Sequence, residues 1–189
     1  MSFAALPSVA SWRHEGARTG FEVAFFATAD EGYLIEGTTT ATEDGTSWIV
    51  DYRIRLDRWW LTRSARIAGR VGGATTITVI EADGRGGWTV DGAEAPQLNG
   101  CLDLDLESSA MTNTFPVHRE RFPLERTVAA PAAFVRADGL TVERLDQTYT
   151  RSGDLRYAYT APAFALACEL GYDRHGLVLN YPGLATRIS

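Results

Sequence analysis

The sequence predicts a mainly β fold of antiparallel strands, and three observations carry that prediction. Period-two alternation of apolar and polar residues recurs along the chain; Asp-Gly pairs fall at four points in or beside the alternating runs; and helical periodicity is scarce. The alternation is clearest at Ser47 to Leu56. There Trp48, Val50, Tyr52, Ile54 and Leu56 interleave with Ser47, Ile49, Asp51, Arg53 and Arg55, so a strand would bury one face.

Weaker runs rich in Val, Ile, Thr or aromatics at Gly20 to Thr28, Tyr33 to Thr42, Leu61 to Arg70, Thr75 to Glu81 and Trp88 to Val90 read as further strands. The pairs Asp44-Gly45, Asp83-Gly84, Asp91-Gly92 and Asp138-Gly139 suit the positive φ of tight hairpin turns, so the connections are antiparallel. The second half continues the pattern at Phe134 to Val135, Leu140 to Tyr149, Leu155 to Thr160, Phe164 to Tyr172 and Leu177 to Tyr181. The best place for a helix is Ser108 to Glu120, despite Pro116 within it. Around it, Asn99 to Arg126 departs from the hairpin pattern, as a segment crossing the sheet or filling its concave side would.

At 189 residues the chain is expected to form one domain, residues 1 to 189, and no repeat or linker marks a boundary. Its 45% hydrophobic and 22% charged residues are those of an ordinary globular protein. A net charge of −6 opposes attraction to phosphate backbones, so nucleic acid is not an expected partner. All 18 basic residues are arginine, to which no function is attached. Cys101 and Cys168 define no disulfide framework, and both thiols are expected to be buried and free, in a reducing compartment. Met1 to Trp12 lacks the marks of an export signal and no apolar run is long enough to span a membrane, so a cytoplasmic location is expected.

Candidate chemistry gathers at two places. Cys101, Asp103 and Asp105 alternate with Leu102, Leu104 and Leu106, so a strand would put the polar side chains on one solvated or functional face. Two carboxylates so spaced lie about 7 Å apart, the separation of an acid and base pair at a glycosidic bond. With His118 they would also offer thiolate, imidazole and carboxylate to a metal, but the spacing matches no zinc pattern, and a hydrogen-bonded wall residue is the simpler role for His118. No Gly-x-Ser-x-Gly elbow is present, and without lysine there is no P-loop. The second place is Asp57, Arg58, Trp59, Trp60, Thr62 and Arg63, where successive indoles face opposite sides of an extended backbone, one in the core and one as a platform. Aromatic faces beside guanidinium forks suit a sugar ring or a polar head group. Gln147, Tyr149 and Arg151 share one strand face, and Tyr181-Pro182 closes the last strand, which would complete a rim.

These motifs resemble one family. Tyr52-Arg53 with Asp57 through Arg63, Gly87-Trp88, Asp91-Gly92, Gly100-Cys101-Leu102-Asp103-Leu104-Asp105, Thr112-Asn113-Thr114-Phe115-Pro116, Gln147-x-Tyr149-x-Arg151 and Gly176-Leu177-Val178-x-x-Tyr181-Pro182 run across nearly the whole chain. In that order they are similar to the bacterial family labelled putative glycolipid-binding. The resemblance implies a spiral β-roll, a long antiparallel sheet curled around a single helix, related in shape to periplasmic lipid and lipoprotein carriers. It carries over no catalytic residue.

The resulting expectation is a non-enzymatic protein that holds an amphiphile, such as a glycolipid, in the curled sheet, with the acyl part inside and the head at the polar-aromatic patch. The ligand-binding set is Trp59, Trp60, Arg63, Cys101, Asp103, Asp105, Asn113, His118, Arg119, Tyr149, Arg151 and Tyr181, with no metal and no cofactor. Two alternatives stay open: a structural or interaction domain that forms a homodimer, and a sugar-active hydrolase using Asp103, Asp105 and His118. A homodimer is compatible with the first reading as well.

Overall fold

The computed structural model describes residues 3–29 and 31–189. Strands β1 (Val9–His14), β2 (Arg18–Ala29), β3 (Gly32–Glu43), β4 (Thr46–Asp57), β5 (Thr62–Val71), β6 (Ala74–Ala82), β7 (Trp88–Val90) and β8 (Ala93–Glu94) form one antiparallel meander. A second meander follows late in the chain: β13 (Thr148–Arg151), β14 (Arg156–Ala161), β15 (Leu166–Tyr172), β16 (Val178–Tyr181) and β17 (Ala185–Arg187), with β10 (Thr127–Ala129) on its outer edge. The two meet where β1 pairs with β17, Trp12 opposite Arg187, giving an open 14-stranded sheet with edges at β8 and β10. A small sheet of β9 (Asp103–Leu106), β11 (Ala132–Val135) and β12 (Val142–Leu145) accompanies it, with β9 and β11 parallel.

The alternating runs fold as their pattern dictates. In β4 the even-numbered Trp48, Val50, Tyr52, Ile54 and Leu56 are buried, and Arg53 and Arg55 are exposed. Asp44 and Gly45 have φ of 48° and 76°, and Asp91 and Gly92 have 50° and 80°, the left-handed pairs that two-residue hairpins require. Leu140 to Tyr149, read as one strand, is two. The chain leaves the small sheet after Leu145 and joins the large one at Thr148, with Gln147 buried between them to accept the Tyr159 hydroxyl at 2.7 Å.

The helical segment is shorter than expected: a 3-10 turn at Met111–Asn113 leads into α1 (Thr114–Arg119). Pro116 lies in the first turn of α1, where its missing N–H would have no helical acceptor, so it interrupts nothing. Ser108 to Ala110 stay outside the helix, and Ser109 and Ala110 give polar groups to Glu22. The Glu22 carboxylate accepts from the Tyr52 hydroxyl at 2.7 Å, from the Ser109 hydroxyl and from the Ala110 amide at 2.9 Å. Burial pushes the Glu22 carboxyl up, and these donors oppose the rise.

From Asn99 onward the central segment makes contacts from one side of the large sheet to the other. The Trp88 indole donates to the Cys101 carbonyl at 2.9 Å, and the Leu104 amide donates to the Thr62 hydroxyl at 3.0 Å. Arg18 donates to the Glu107 carbonyl at 2.7 Å, and the Tyr149 hydroxyl donates to Asn113 Oδ1 at 2.8 Å. The core between segment and sheet is filled by large side chains, among them Trp12, Phe115, Tyr149, Tyr159 and Tyr172, each essentially inaccessible.

The solvated face expected for Cys101, Asp103 and Asp105 is absent. Every residue of β9 is buried, and Cys101 is fully so. The alternation is real, but the polar side of this strand faces the tyrosines and Arg119 instead of water. Cys101 and Cys168 are both free; Cys101 is buried and Cys168 only partly.

Candidate functional site

A cavity of about 540 Å³ is walled by aromatic side chains and edged with arginine. Its formation starts at the turn after β4. Asp57 Oδ1 accepts from the amides of Trp59 at 2.9 Å and Leu61 at 3.0 Å, and the Asp57 carbonyl accepts from the Trp60 amide at 3.0 Å. Trp60 is thereby held at φ 67°, a conformation costly for a bulky residue. One indole is in solvent and one in the core, but a turn produces the division and not the extended backbone the sequence reading assumed: Trp59 is 59% exposed and Trp60 is buried.

Trp60 anchors an aromatic row. Its ring stacks on His118 at 3.8 Å between centroids, with Tyr33 at 4.6 Å on Trp60 and Phe3 at 4.5 Å on His118. His118 Nε2 donates to the His175 carbonyl at 3.0 Å, making it the hydrogen-bonded wall residue expected. Burial lowers its pKa to about 4, so the ring is neutral near pH 7. Phe122 and Tyr157, edge to face at 5.5 Å, line the same cavity. Arg58, Arg121 and Arg151 line the same space against one acid, Glu120. Arg58 lies over the Trp59 ring at 4.3 Å, and Arg151 is held by Asp154 at 3.1 Å and the Gly153 carbonyl at 2.9 Å.

Trp60, His118 and Arg151 are thus brought together, whereas the rest of the expected set goes elsewhere. Asp105, Asn113 and Tyr181 line a second cavity of about 180 Å³. Asp103 is 1% exposed and gripped by Arg119, Nε to Oδ1 at 3.0 Å and Nη2 to Oδ2 at 2.9 Å. Burial pushes the Asp103 carboxyl up against the pull of this pairing. Burial also works against the Arg119 charge, but the bonds and charge of Asp103 more than offset it, so its pKa is raised. Asp103 is therefore committed to a structural ion pair rather than open to a substrate. Cys101 touches Arg144 at 3.7 Å, and burial raises its thiol to about 11, which leaves no thiolate at neutral pH. Tyr149 is spent on Asn113, and Arg63 lies on the surface, donating to the Asp83 carbonyl at 2.7 Å.

Sequence reasoning missed Phe3, Tyr33, Arg121, Phe122 and Tyr157 in the larger cavity, and left Arg58 out of the ligand-binding set. The run Glu120-Arg121-Phe122 after α1 carries a local hint, charge beside an aromatic, but Phe3, Tyr33 and Tyr157 converge only through the fold. Among the described residues no group of three His, Cys, Asp or Glu side chains is placed to hold a metal, and no helix is long and apolar enough to cross a membrane.

The fold has relatives of known structure. The chain is similar to a DUF1089 family protein from Pseudomonas aeruginosa, with a TM-score of 0.78 and 29% identity over 100% of this chain and 98% of that one. It shares its fold with a beta-barrel-like protein of the domain of unknown function DUF1849 from Brucella abortus, with a TM-score of 0.54 and 12% identity over 98% and 96% of the two chains. No curated protein matches it. The family model described as putative glycolipid-binding matches residues 9–187, which bear the motifs from Tyr52-Arg53 to Tyr181-Pro182, and the chain belongs to that family.

Proposed function

We propose that this protein is a non-enzymatic binder of an amphiphile with a ring-bearing, anionic head, of the glycolipid kind, and that the head sits in the 540 Å³ cavity. The carrying observation is the wall itself: Tyr33, Trp60 and His118 in one aromatic row, Phe122 and Tyr157 in a second ring contact, and three arginines against a single glutamate. Aromatic faces receive the apolar faces of a sugar, and guanidinium groups take its phosphate, sulfate or carboxylate in two-pronged bonds. The volume lies within the usual range of about 300–1,000 Å³ for small-molecule sites.

Within this reading the large sheet winds as a spiral roll about α1. Support comes from β2 and β13, far apart in strand order, which both bond the stretch Ser109 to Asn113. The roll's interior is occupied by the protein's own tyrosines and Phe115, so an acyl chain runs out of the cavity along the surface rather than into the core. Selectivity for the head then resides in Arg58, Arg121 and Arg151, and apolar contact supplies affinity without much discrimination.

The test is a titration of anionic and neutral glycolipids followed by tryptophan fluorescence, on the natural chain and on Arg58→Glu with Arg121→Glu. The anionic ligand is expected to bind more tightly, and the double reversal to weaken it at least tenfold while sparing the neutral one. Equal affinity for both heads in both proteins would remove the basis of the proposal.

A second reading, a domain that pairs with another copy of itself, is favoured by one observation. Phe21 and Phe25 on the outer face of β2 are 51% and 58% exposed, and Val9, opposite Phe25 on β1, is 39% exposed. Sedimentation with Phe21→Ser and Phe25→Ser distinguishes a dimer through this stripe from a monomer.

A further inference from the structure

The smaller cavity is chemically the opposite of the larger. Its walls are apolar and aromatic, with Phe134, Phe164, Tyr159 and Tyr181 among them, and its lining contains two carboxylates and no basic side chain. Asp105, 5% exposed, is part of that lining. The carboxylate accepts one side-chain bond, from the Thr112 hydroxyl at 2.7 Å.

What surrounds Asp105 does not neutralise it. Tyr149, Tyr159, Tyr172 and Tyr181, from four successive strands, all lie close enough for its charge to raise their pKa values. Yet Tyr149 donates to Asn113 Oδ1, Tyr159 to Gln147 Oε1 at 2.7 Å and Tyr172 to the Asn113 carbonyl at 3.0 Å. The charges that act on it are those of Asp103 and Glu107, of the same sign. Asp103 is satisfied by Arg119, and Glu107 by Arg136 at 3.3 Å and the Ala137 amide at 2.8 Å. Arg18 gives one guanidinium nitrogen to the Glu107 carbonyl and its Nε has no partner among the described residues, but it makes no ion pair with Asp105. Among the described residues, no cation forms an ion pair with Asp105. A buried carboxylate is ordinarily paired, so this one lacks a positive partner.

We propose that the Asp105 cavity binds a small ammonium ion carrying an apolar group, with the ammonium on the Asp105 carboxylate and the apolar group against the contacting rings of Phe134 and Phe164. The Arg136 guanidinium already lies 5.3 Å from the Phe134 centroid and 5.2 Å from that of Phe164, so the carboxylate rather than a ring face is left for the ammonium. That guanidinium is itself compensated by Glu107 and Glu143, so it does not repel a second cation at full strength. A hard metal ion fits poorly, because it seeks several carboxylates and, among the described residues, no group of three His, Cys, Asp or Glu side chains is placed to hold one. The space of about 180 Å³ equals ~6 waters of liquid volume, enough for a phenylmethyl or cycloalkyl group. This site is independent of the amphiphile cavity and shares none of its lining residues.

Calorimetric titration with benzylammonium and with its neutral analogue benzyl alcohol tests the assignment. At pH 7.5 benzylammonium is expected to bind at least tenfold more tightly. Its affinity should fall as pH drops through about 6, the value to which burial raises Asp105. Asp105→Asn, which keeps an acceptor for Thr112, should lose that tenfold preference and leave benzyl alcohol unchanged. Should that variant fail to fold, Phe164→Ala at the 40% exposed rim is expected to weaken benzylammonium severalfold. The ammonium chemistry has two sources, a free amine or the head of a lipid. Binding to phosphatidylethanolamine vesicles but not to phosphatidylglycerol vesicles assigns the lipid; benzylammonium binding with no vesicle binding assigns the amine. Absence of saturable benzylammonium binding, or equal binding of the two probes, overturns the proposal.

Discussion

Arg119 holds Asp103 with two parallel bonds of 3.0 and 2.9 Å, joining α1 to a β9 strand that is buried throughout. Removing one partner of such a pair leaves the other charge buried and uncompensated. Arg119→Ala is expected to cost about 3–5 kcal/mol in urea unfolding, and Asp103→Asn with Arg119→Gln to recover much of that loss. If Arg119→Ala is as stable as the natural chain, the ion pair does not hold α1 in place.

His14 is 4% exposed, and neither ring nitrogen has a partner among the described residues. Burial first, and Arg18 second, lower its pKa to about 4. Because the folded value lies below the ordinary 6.5, the unfolded chain takes up the proton first. The His14 contribution is present above pH 6.5 and is lost as pH falls towards 4. His14→Leu is expected to gain about 1 kcal/mol at pH 7 and to reduce the loss of stability over that window, read from denaturant midpoints across pH.

Asp105 has the opposite sign. Its folded pKa, about 6, lies above the ordinary 3.8, so its contribution is full below 3.8 and is lost as pH rises through 6. A raise of this size corresponds to roughly 3 kcal/mol. Asp105→Asn is therefore expected to be more stable than the natural chain at pH 7 by about 2–3 kcal/mol and to match it near pH 3.5. A variant less stable at neutral pH would show that the carboxylate is paired in a way the geometry does not contain.

Gly176, at φ 73°, is set against His118: a Cβ there would stand 2.4 Å from His118 Nε2. Gly176→Ala is expected to displace the imidazole from the Trp60 face, shift the tryptophan emission and cost about 1–2 kcal/mol. Unchanged emission would mean that the stack does not depend on this approach.

Most of the large sheet was legible because its strands carry local signals. β4 alternates over its whole length, and Asp44-Gly45 supplies the turn chemistry beside it. The pairing of β1 with β17 was not legible, since residues at opposite ends of the chain meet there and no local pattern encodes it. The site was read less well for the same reason. Alternation placed Asp103 and Asp105 on one side of a strand, but only packing tells that this side meets Arg119 and four tyrosines instead of water. That one of Trp59 and Trp60 is core and the other exposed was legible, though not which one nor the turn that divides them, whereas the Phe3, Tyr33 and Tyr157 walls come from segments with no sequence relation to them.

The claim that the arginine-edged aromatic cavity holds an anionic amphiphile is tested most directly by native mass spectrometry of protein isolated gently from bacterial cells, with denaturing extraction of whatever it retains. The account predicts a retained anionic, sugar-bearing amphiphile in the natural chain and its loss in Arg58→Glu with Arg121→Glu. A clean ligand-free mass in repeated preparations, or an identical retained ligand in the double variant, would contradict it.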